Sequence, residues 1–169
     1  EITVSGNKNA VLPMIAASLL TDQELTLKNV PHILDVDNML RIADALGVSV
    51  SFSGSVAKLK AAAVKSSEIP QELCSKTRTS ILFAGPILAR CGKVKFHPPG
   101  GDVIGRRRLD AHFYGLKSLG AVLQSEEPPY VLESKGLEGK DIFFDEASVT
   151  ATEHILMTAV LAKGRTTIR

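Results

Sequence analysis

Apolar and polar residues alternate along the chain in two rhythms. Leu12, Ile15, Ala16 and Leu19 recur at helical spacing and predict a helix around Ala10–Leu20. A short strand at Leu25–Lys28, a helix around Val36–Leu46 and a strand at Val48–Phe52 follow. The same order returns with a helix around Ser80–Arg90, a strand at Lys93–Phe96, a helix near Asp110–Leu119 and a strand at Ala121–Gln124. A third round begins with a helix around Thr152–Ala162 and a strand at Thr166–Ile168. Glu1–Val4 also reads as a strand.

These rounds share landmarks. Leu46-Gly47-Val48 corresponds to Leu119-Gly120-Ala121, where a glycine after a helix permits a left-handed cap before a strand. Ser18-Leu19-Leu20, Ile87-Leu88-Ala89 and Val160-Leu161-Ala162 end the first helix of each round in one register. Such periodicity predicts an α/β (α+β) domain built from a pseudo-repeat, with units at 1–65, 66–140 and 141–169. The third unit holds only its first helix and strand, so the chain is expected to be a fragment.

Composition narrows the class. Hydrophobic residues make up 44% and charged residues 22% of 169, the balance of a folded globular chain. No apolar run is long enough to span a bilayer, and the first residues lack the regions of a signal peptide. A net charge of +2 gives no broad field for nucleic acid. Two cysteines, Cys74 and Cys91, are too few for a disulfide framework, and no spacing resembles a zinc site. Both are expected to be reduced thiols in a cytoplasmic protein, with Cys91 a packing residue. No metal or cofactor is implied.

Candidate chemistry is densest from Pro98 to His112. Two prolines stiffen the start, three glycines permit unusual backbone angles, and Arg106, Arg107, Arg108, Asp110 and His112 follow Asp102. Guanidinium forks suit phosphate oxygens, and a mobile glycine-rich segment can close over a ligand. A solvated basic hairpin explains the same composition. Ser5-Gly6-Asn7-Lys8-Asn9-Ala10 places Lys8 at an incoming helix, where it serves either an anion or solvent. Arg78 precedes an apolar helix, opposing its dipole, so a ligand or a carboxylate compensates it or it lies on the surface. Ser148 and Thr150 either cap the last helix or face a ligand.

Five motifs in order resemble one family. They are Ser5-Gly6-Asn7-Lys8-Asn9-Ala10-Val11-Leu12-Pro13, then Asn29-Val30-Pro31 with Asp35-Val36-Asp37, then Thr77-Arg78-Thr79-Ser80. Pro99-Gly100-Gly101-Asp102-Val103-Ile104-Gly105 and Ser148-Val149-Thr150-Ala151-Thr152-Glu153 complete the set. The chain is similar to the N-terminal part of the bacterial UDP-N-acetylglucosamine enolpyruvyl transferases (1-carboxyvinyltransferases). That resemblance implies inverted βαβαββ units in two pseudo-threefold domains, of which this chain is most of one. It implies transfer of enolpyruvate from phosphoenolpyruvate to the 3-hydroxyl of UDP-N-acetylglucosamine, which opens peptidoglycan synthesis.

The resemblance also assigns roles. Lys8 and Asn9 would meet phosphoenolpyruvate, and Arg107 the phosphate region. Arg78 would contact anionic groups of the substrate. Arg107, Arg108, Leu109, Asp110 and Ala111 would line the UDP-sugar site, with Glu146, Ala147, Ser148 and Val149 at the nucleotide end. Pro98–Arg108 would be a lid. Asp102 would supply acid chemistry at the methylene carbon, where most members carry Cys, and an Asp there implies resistance to fosfomycin. Thr150, Arg108 and Ala111 depart from the family's usual Gly, Pro and Leu. The general base lies in the second domain, so the fragment alone is expected to be inactive. Alternatives are the shikimate-pathway enolpyruvyl transferase, whose Gly-Asn-Ala-Gly-Thr-Ala is replaced here by Lys76-Thr77-Arg78-Thr79-Ser80, and a non-catalytic βαβαββ nucleotide- or RNA-binding module.

Overall fold

A computed structural model describes residues 2, 4–101 and 108–169. The first unit contains α1 (Lys8–Ala17), β1 (Glu24–Leu27), α2 (Leu34–Ala45), β2 (Ser49–Ser53) and β3 (Val56–Lys60). The second has α3 (Gln71–Cys74), a 3₁₀ helix at Arg78–Phe83, α4 (Ala84–Cys91), β4 (Lys93–Phe96), α5 (Asp110–Ser118), β5 (Val122–Ser125) and β6 (Tyr130–Glu133). The third comprises β7 (Asp141–Ile142), α6 (Val149–Ala159) and β8 (Thr167–Ile168).

The two sheets have one topology. Their orders are β1-β3-β2 and β4-β6-β5, with each middle strand antiparallel to both neighbours. Each outer pair is therefore parallel and joined through a helix, a split βαβ arrangement with the last strand inserted. Alternation fixes the register. Leu25 and Val50 flank Leu59, and Leu27 and Phe52 flank Ala57, so one face is apolar. Val94 and Leu123 flank Leu132 in the second sheet. The third unit repeats only the opening, with β7 parallel to β8. A matching parallel bridge joins Glu68 to Lys95 in the second unit.

The sheets' apolar faces and the helices share one core. Leu12, Ile15 and Ala16 of α1, Ile87 and Leu88 of α4 and Ile155 of α6 are all buried there with Phe83. Helix α6 packs against α4, α5 and α1. Two glycines allow its close approach. A methyl at Gly85 on α4 would overlap Thr158 and His154, and one at Gly115 on α5 would overlap Ile155. At the other end of α4, Arg90 clamps the first two units. Its Nη1 donates to the carbonyls of Ala61 at 2.7 Å, Leu19 at 3.2 Å and Thr21 at 3.5 Å.

Several expectations change. The glycine caps hold, with Gly47 at φ 95° and Gly120 at φ 100°. The helix expected at Ser80–Arg90 is 3₁₀ as far as Phe83 and α-helical only from Ala84. Pro86, with no N–H to donate, is accommodated in that new first turn. Helix α6 starts at Val149 rather than Thr152, because Ser148 Oγ accepts from the Ala151 N–H at 3.3 Å and caps it. The expected strand at the chain start is not formed at Ile2 or Val4, which are exposed, while Glu1 and Thr3 lie outside the described residues. Cys91 is exposed instead of packed, since it ends α4 just before the Gly92 cap. Cys74 is buried, and burial pushes its thiol pKa up.

Candidate functional site

Arg78 is the hub of the candidate site. It opens the 3₁₀ helix, and its Nη2 donates to the Arg108 carbonyl at 2.9 Å. The opposite flank of the glycine-rich segment reaches the same place. Gly100 N–H donates to the Cys74 carbonyl at 2.9 Å, and no side chain fits at Gly100 because Ser75 lies against it. Gly101, at φ 95°, sits over the Arg78 backbone. Both ends of the segment therefore converge on Arg78. Asp102, Arg106 and Arg107 lie outside the described residues.

Two clefts meet at Arg78 and Arg108. One, of about 510 Å³, is walled by these arginines, His112 and the Glu146–Thr150 stretch. The other, of about 670 Å³, includes Pro98, Leu109, Asp110, Tyr114 and Lys117 in its wall. Arg108 Nε is 2.6 Å from Asp110 Oδ2. The first cleft combines two guanidinium groups with the N-terminus of α6, where Ser148, Val149 and Thr150 line it. Cations and a helix N-terminus together favour an anion. Glu146 brings one carboxylate to the same wall.

Lys8 lies in neither cleft wall but is wired towards Arg78. Its ammonium pairs with Asp35 of α2, whose other oxygen accepts from Thr77 Oγ1 at 3.2 Å. Thr77 Oγ1 is also 3.0 Å from Thr79 Oγ1. Asn7 Oδ1 caps α1 from the Ala10 N–H at 3.2 Å, which sets Lys8 and Asn9 in its first turn. Asn9 is exposed and Ala111 half-buried on α5, and neither lines the two clefts. The structure thus brings Arg78, Arg108, Glu146, Ala147, Ser148 and Val149 into one cleft and Leu109 and Asp110 into its neighbour.

The site expected from the motifs omits a buried imidazole pair. His112 Nδ1 and His154 Nδ1 are 3.0 Å apart, and His154 Nε2 accepts the Gly85 N–H at 2.7 Å. His112 Nε2 reaches the first cleft, 3.4 Å from Thr150 Oγ1. Burial, reinforced by the nearby Arg78 charge, lowers the His112 pKa from 6.5 to about 4. Burial and His112 itself hold His154 well below the usual range. Both rings are neutral at physiological pH. Among the described residues no cluster of three or more His, Cys, Asp or Glu suits a metal, and no helix is long and apolar enough to cross a membrane.

The family model for EPSP synthase (3-phosphoshikimate 1-carboxyvinyltransferase) matches residues 1–169. The chain belongs to that family. Among EPSP synthase family relatives, a Borreliella burgdorferi protein called UDP-N-acetylglucosamine 1-carboxyvinyltransferase is 49% identical over 168 residues, covering 99% of this chain and 39% of its own. Proteins of the same name from Treponema denticola and Bradyrhizobium diazoefficiens are 53% and 46% identical, each again matched over 39% of its length. The chain spans about two fifths of these curated relatives. Solved structures share the family fold. The enolpyruvyl transferase NikO from Streptomyces tendae aligns with a TM-score of 0.83 at 18% identity, over 98% of this chain and 39% of its own. EPSP synthase from Acinetobacter baumannii gives 0.77 at 18%, over 99% and 39%. The enolpyruvyl transferase fold expected from the sequence is therefore the fold observed.

Proposed function

We propose that the protein to which this chain belongs transfers enolpyruvate from phosphoenolpyruvate to the 3-hydroxyl of UDP-N-acetylglucosamine, releasing phosphate. The convergence of both flanks of the glycine-rich segment on Arg78, at a cleft edged by Arg108 and the α6 N-terminus, carries this reading. Relatives of that name at 46–53% identity support the choice of nucleotide sugar. The segment from Pro98 to Arg108 closes over the substrates. Arg78, Arg108, Leu109, Asp110 and Ala111 line the UDP-sugar site with Glu146, Ala147, Ser148 and Val149. Lys8 and Asn9 serve phosphoenolpyruvate, with Arg107 at its phosphate. In this reading Lys8 exchanges its Asp35 carboxylate for the substrate's negative charge.

Asp102 is the acid that delivers a proton to the methylene carbon of phosphoenolpyruvate while the sugar's 3-oxygen, giving up its own proton to the general base, bonds to the adjacent carbon. The methyl group so formed then returns a proton to a base as the C–O bond to phosphate breaks, which restores the double bond in the product. A free Asp, with a pKa of about 3.9, holds no proton near neutrality. Asp102 must therefore be protonated in the closed, loaded site, where water is excluded and substrate phosphate offsets the arginines. The three units at 1–65, 66–140 and 141–169 form most of one domain, and a second domain supplies the general base. The enzyme works in the cytoplasm, in peptidoglycan synthesis and hence in cell shape and division, without nucleic acid, membrane or cofactor, and it resists fosfomycin.

The test is phosphate release by the full-length protein with phosphoenolpyruvate and either UDP-N-acetylglucosamine or 3-phosphoshikimate. Turnover with the first and not the second is expected. Turnover with shikimate phosphate alone, or with neither, overturns the proposal.

A further inference from the structure

The buried histidine pair lies outside every role given above, and its hydrogen bonds have a definite direction. A backbone N–H only donates, so His154 Nε2, 2.7 Å from the Gly85 nitrogen, must be an unprotonated acceptor. A neutral imidazole has one proton, which on His154 then sits on Nδ1. That proton bridges 3.0 Å to His112 Nδ1, which must in turn accept. The single proton of His112 is thereby confined to Nε2, the nitrogen at the cleft.

Gly85 has no room for even a methyl because His154 and Thr158 fill the space. His154 is fully buried, and its Thr158 neighbour is occupied with the His154 carbonyl at 2.7 Å. A chain of one amide and two imidazoles thus runs from the interior of α4 to the cleft wall. It ends on Thr150 Oγ1 at 3.4 Å, beyond the usual span of a good hydrogen bond. Among the described residues the terminal N–H is thus poorly served, and it lies in the wall that His112 and Thr150 share with Arg78, Arg108 and the α6 N-terminus. The ligand class that answers such a donor in such company is an anionic oxygen.

We infer that His154 is a positioning residue, which locks His112 in the Nε2–H form and so presents a neutral, pre-aimed donor to a phosphate oxygen of the nucleotide sugar. The ligand half of this assignment rests on the proposed function; the tautomer half rests on the hydrogen-bond geometry alone. An apolar ring replacement at 154 frees His112 to carry its proton on Nδ1 and to meet the ligand with a lone pair. An amide at 154 keeps a donor facing His112 when the Gly85 N–H draws the Asn oxygen to its side and leaves the nitrogen where ring Nδ1 stood.

The experiment uses the full-length protein as wild type, His154→Leu and His154→Asn. Imidazole nitrogens are read by long-range proton–nitrogen NMR at pH 7.5 without ligand, and UDP-N-acetylglucosamine binding by calorimetry. Wild type is expected to show His154 as Nδ1–H and His112 as Nε2–H. His154→Leu is expected to weaken binding about tenfold and raise KM more than it lowers kcat, with His154→Asn within about threefold of wild type. A wild-type His112 that is charged or protonated on Nδ1 overturns the inference. So does equal binding by the Leu and Asn variants when wild type binds. Wild type that fails to bind the nucleotide sugar overturns the proposed function, and the NMR readout then still decides the tautomer claim.

Discussion

Replacing Arg90 by Met is expected to loosen the join between the first two units. The guanidinium makes bonds of 2.7 Å and 3.2 Å to Ala61 and Leu19, while the 3.5 Å approach to Thr21 is too long to add much. Leu19 and Ala61 are wholly buried, so their carbonyls cannot turn to water when the donor goes. Hydrogen bonds to a charged group are worth about 1.5–3 kcal/mol each. Arg90 is itself half-buried, which shields the bonds incompletely, and Met refills part of the volume. The net loss is expected at about 2–4 kcal/mol. Urea unfolding at pH 7 should show a lower midpoint with an unchanged slope, since the surface exposed on unfolding is the same. Arg90→Lys should recover less than half, because its ammonium ends one atom short of Nη1, the single nitrogen that makes both bonds. A loss under about 0.5 kcal/mol in Arg90→Met would refute the clamp.

Acid should destabilise the fold through His112. Its pKa is about 4 folded against an ordinary 6.5, so below pH 6.5 the unfolded chain takes up a proton that the folded one refuses. Its contribution is complete above about pH 6.5 and falls away towards pH 4, by about 3 kcal/mol in all. Unfolding midpoints of wild type and His112→Gln between pH 7.5 and 4.5 should diverge in slope; parallel curves would contradict this. Gly115→Ala pushes a methyl into Ile155 and should cost about 1–3 kcal/mol, with partial recovery in the double variant with Ile155→Val; strict additivity of the two changes would count against the overlap. Asp102→Asn should abolish the acid step, so its pH–rate profile should collapse, and activity equal to wild type would remove Asp102 from the chemistry. Fosfomycin should leave Asp102 unmodified by mass spectrometry, because a carboxylate is a poorer nucleophile than a thiolate; rapid labelling would count against that.

Helix positions were legible because their periodicity is local. Leu12, Ile15, Ala16 and Leu19 face one way whatever they pack against, and Gly47 and Gly120 mark helix ends by backbone freedom alone. The middle strands were missed for the opposite reason. Val56-Ala57-Lys58-Leu59-Lys60 alternates, but two lysines and a small alanine weaken the signal until β1 and β2 pair on both sides. β6 is a four-residue stretch behind two prolines, with the same dependence on its neighbours. The start of α6 required a choice between capping residues that only the fold makes. At the site, the motifs named Arg78, Arg108 and Ser148 from three distant stretches, and the structure lines one cleft with all of them. His112 and His154 meet only through the packing of α5 on α6, and no spacing in the chain announces a contact made that way.

The strand that completes each sheet is also the last of its unit to be synthesised. A ribosome that has delivered the chain through Ser53 has produced β1 and β2 but nothing to bridge them, since both hydrogen-bond only to β3 within that sheet. Until Lys60 emerges, two strand edges stand open to any other extended peptide nearby. The same interval recurs between Ser125 and Glu133. Translation pauses placed in those two windows would therefore raise aggregation of the nascent protein more than pauses of equal length elsewhere.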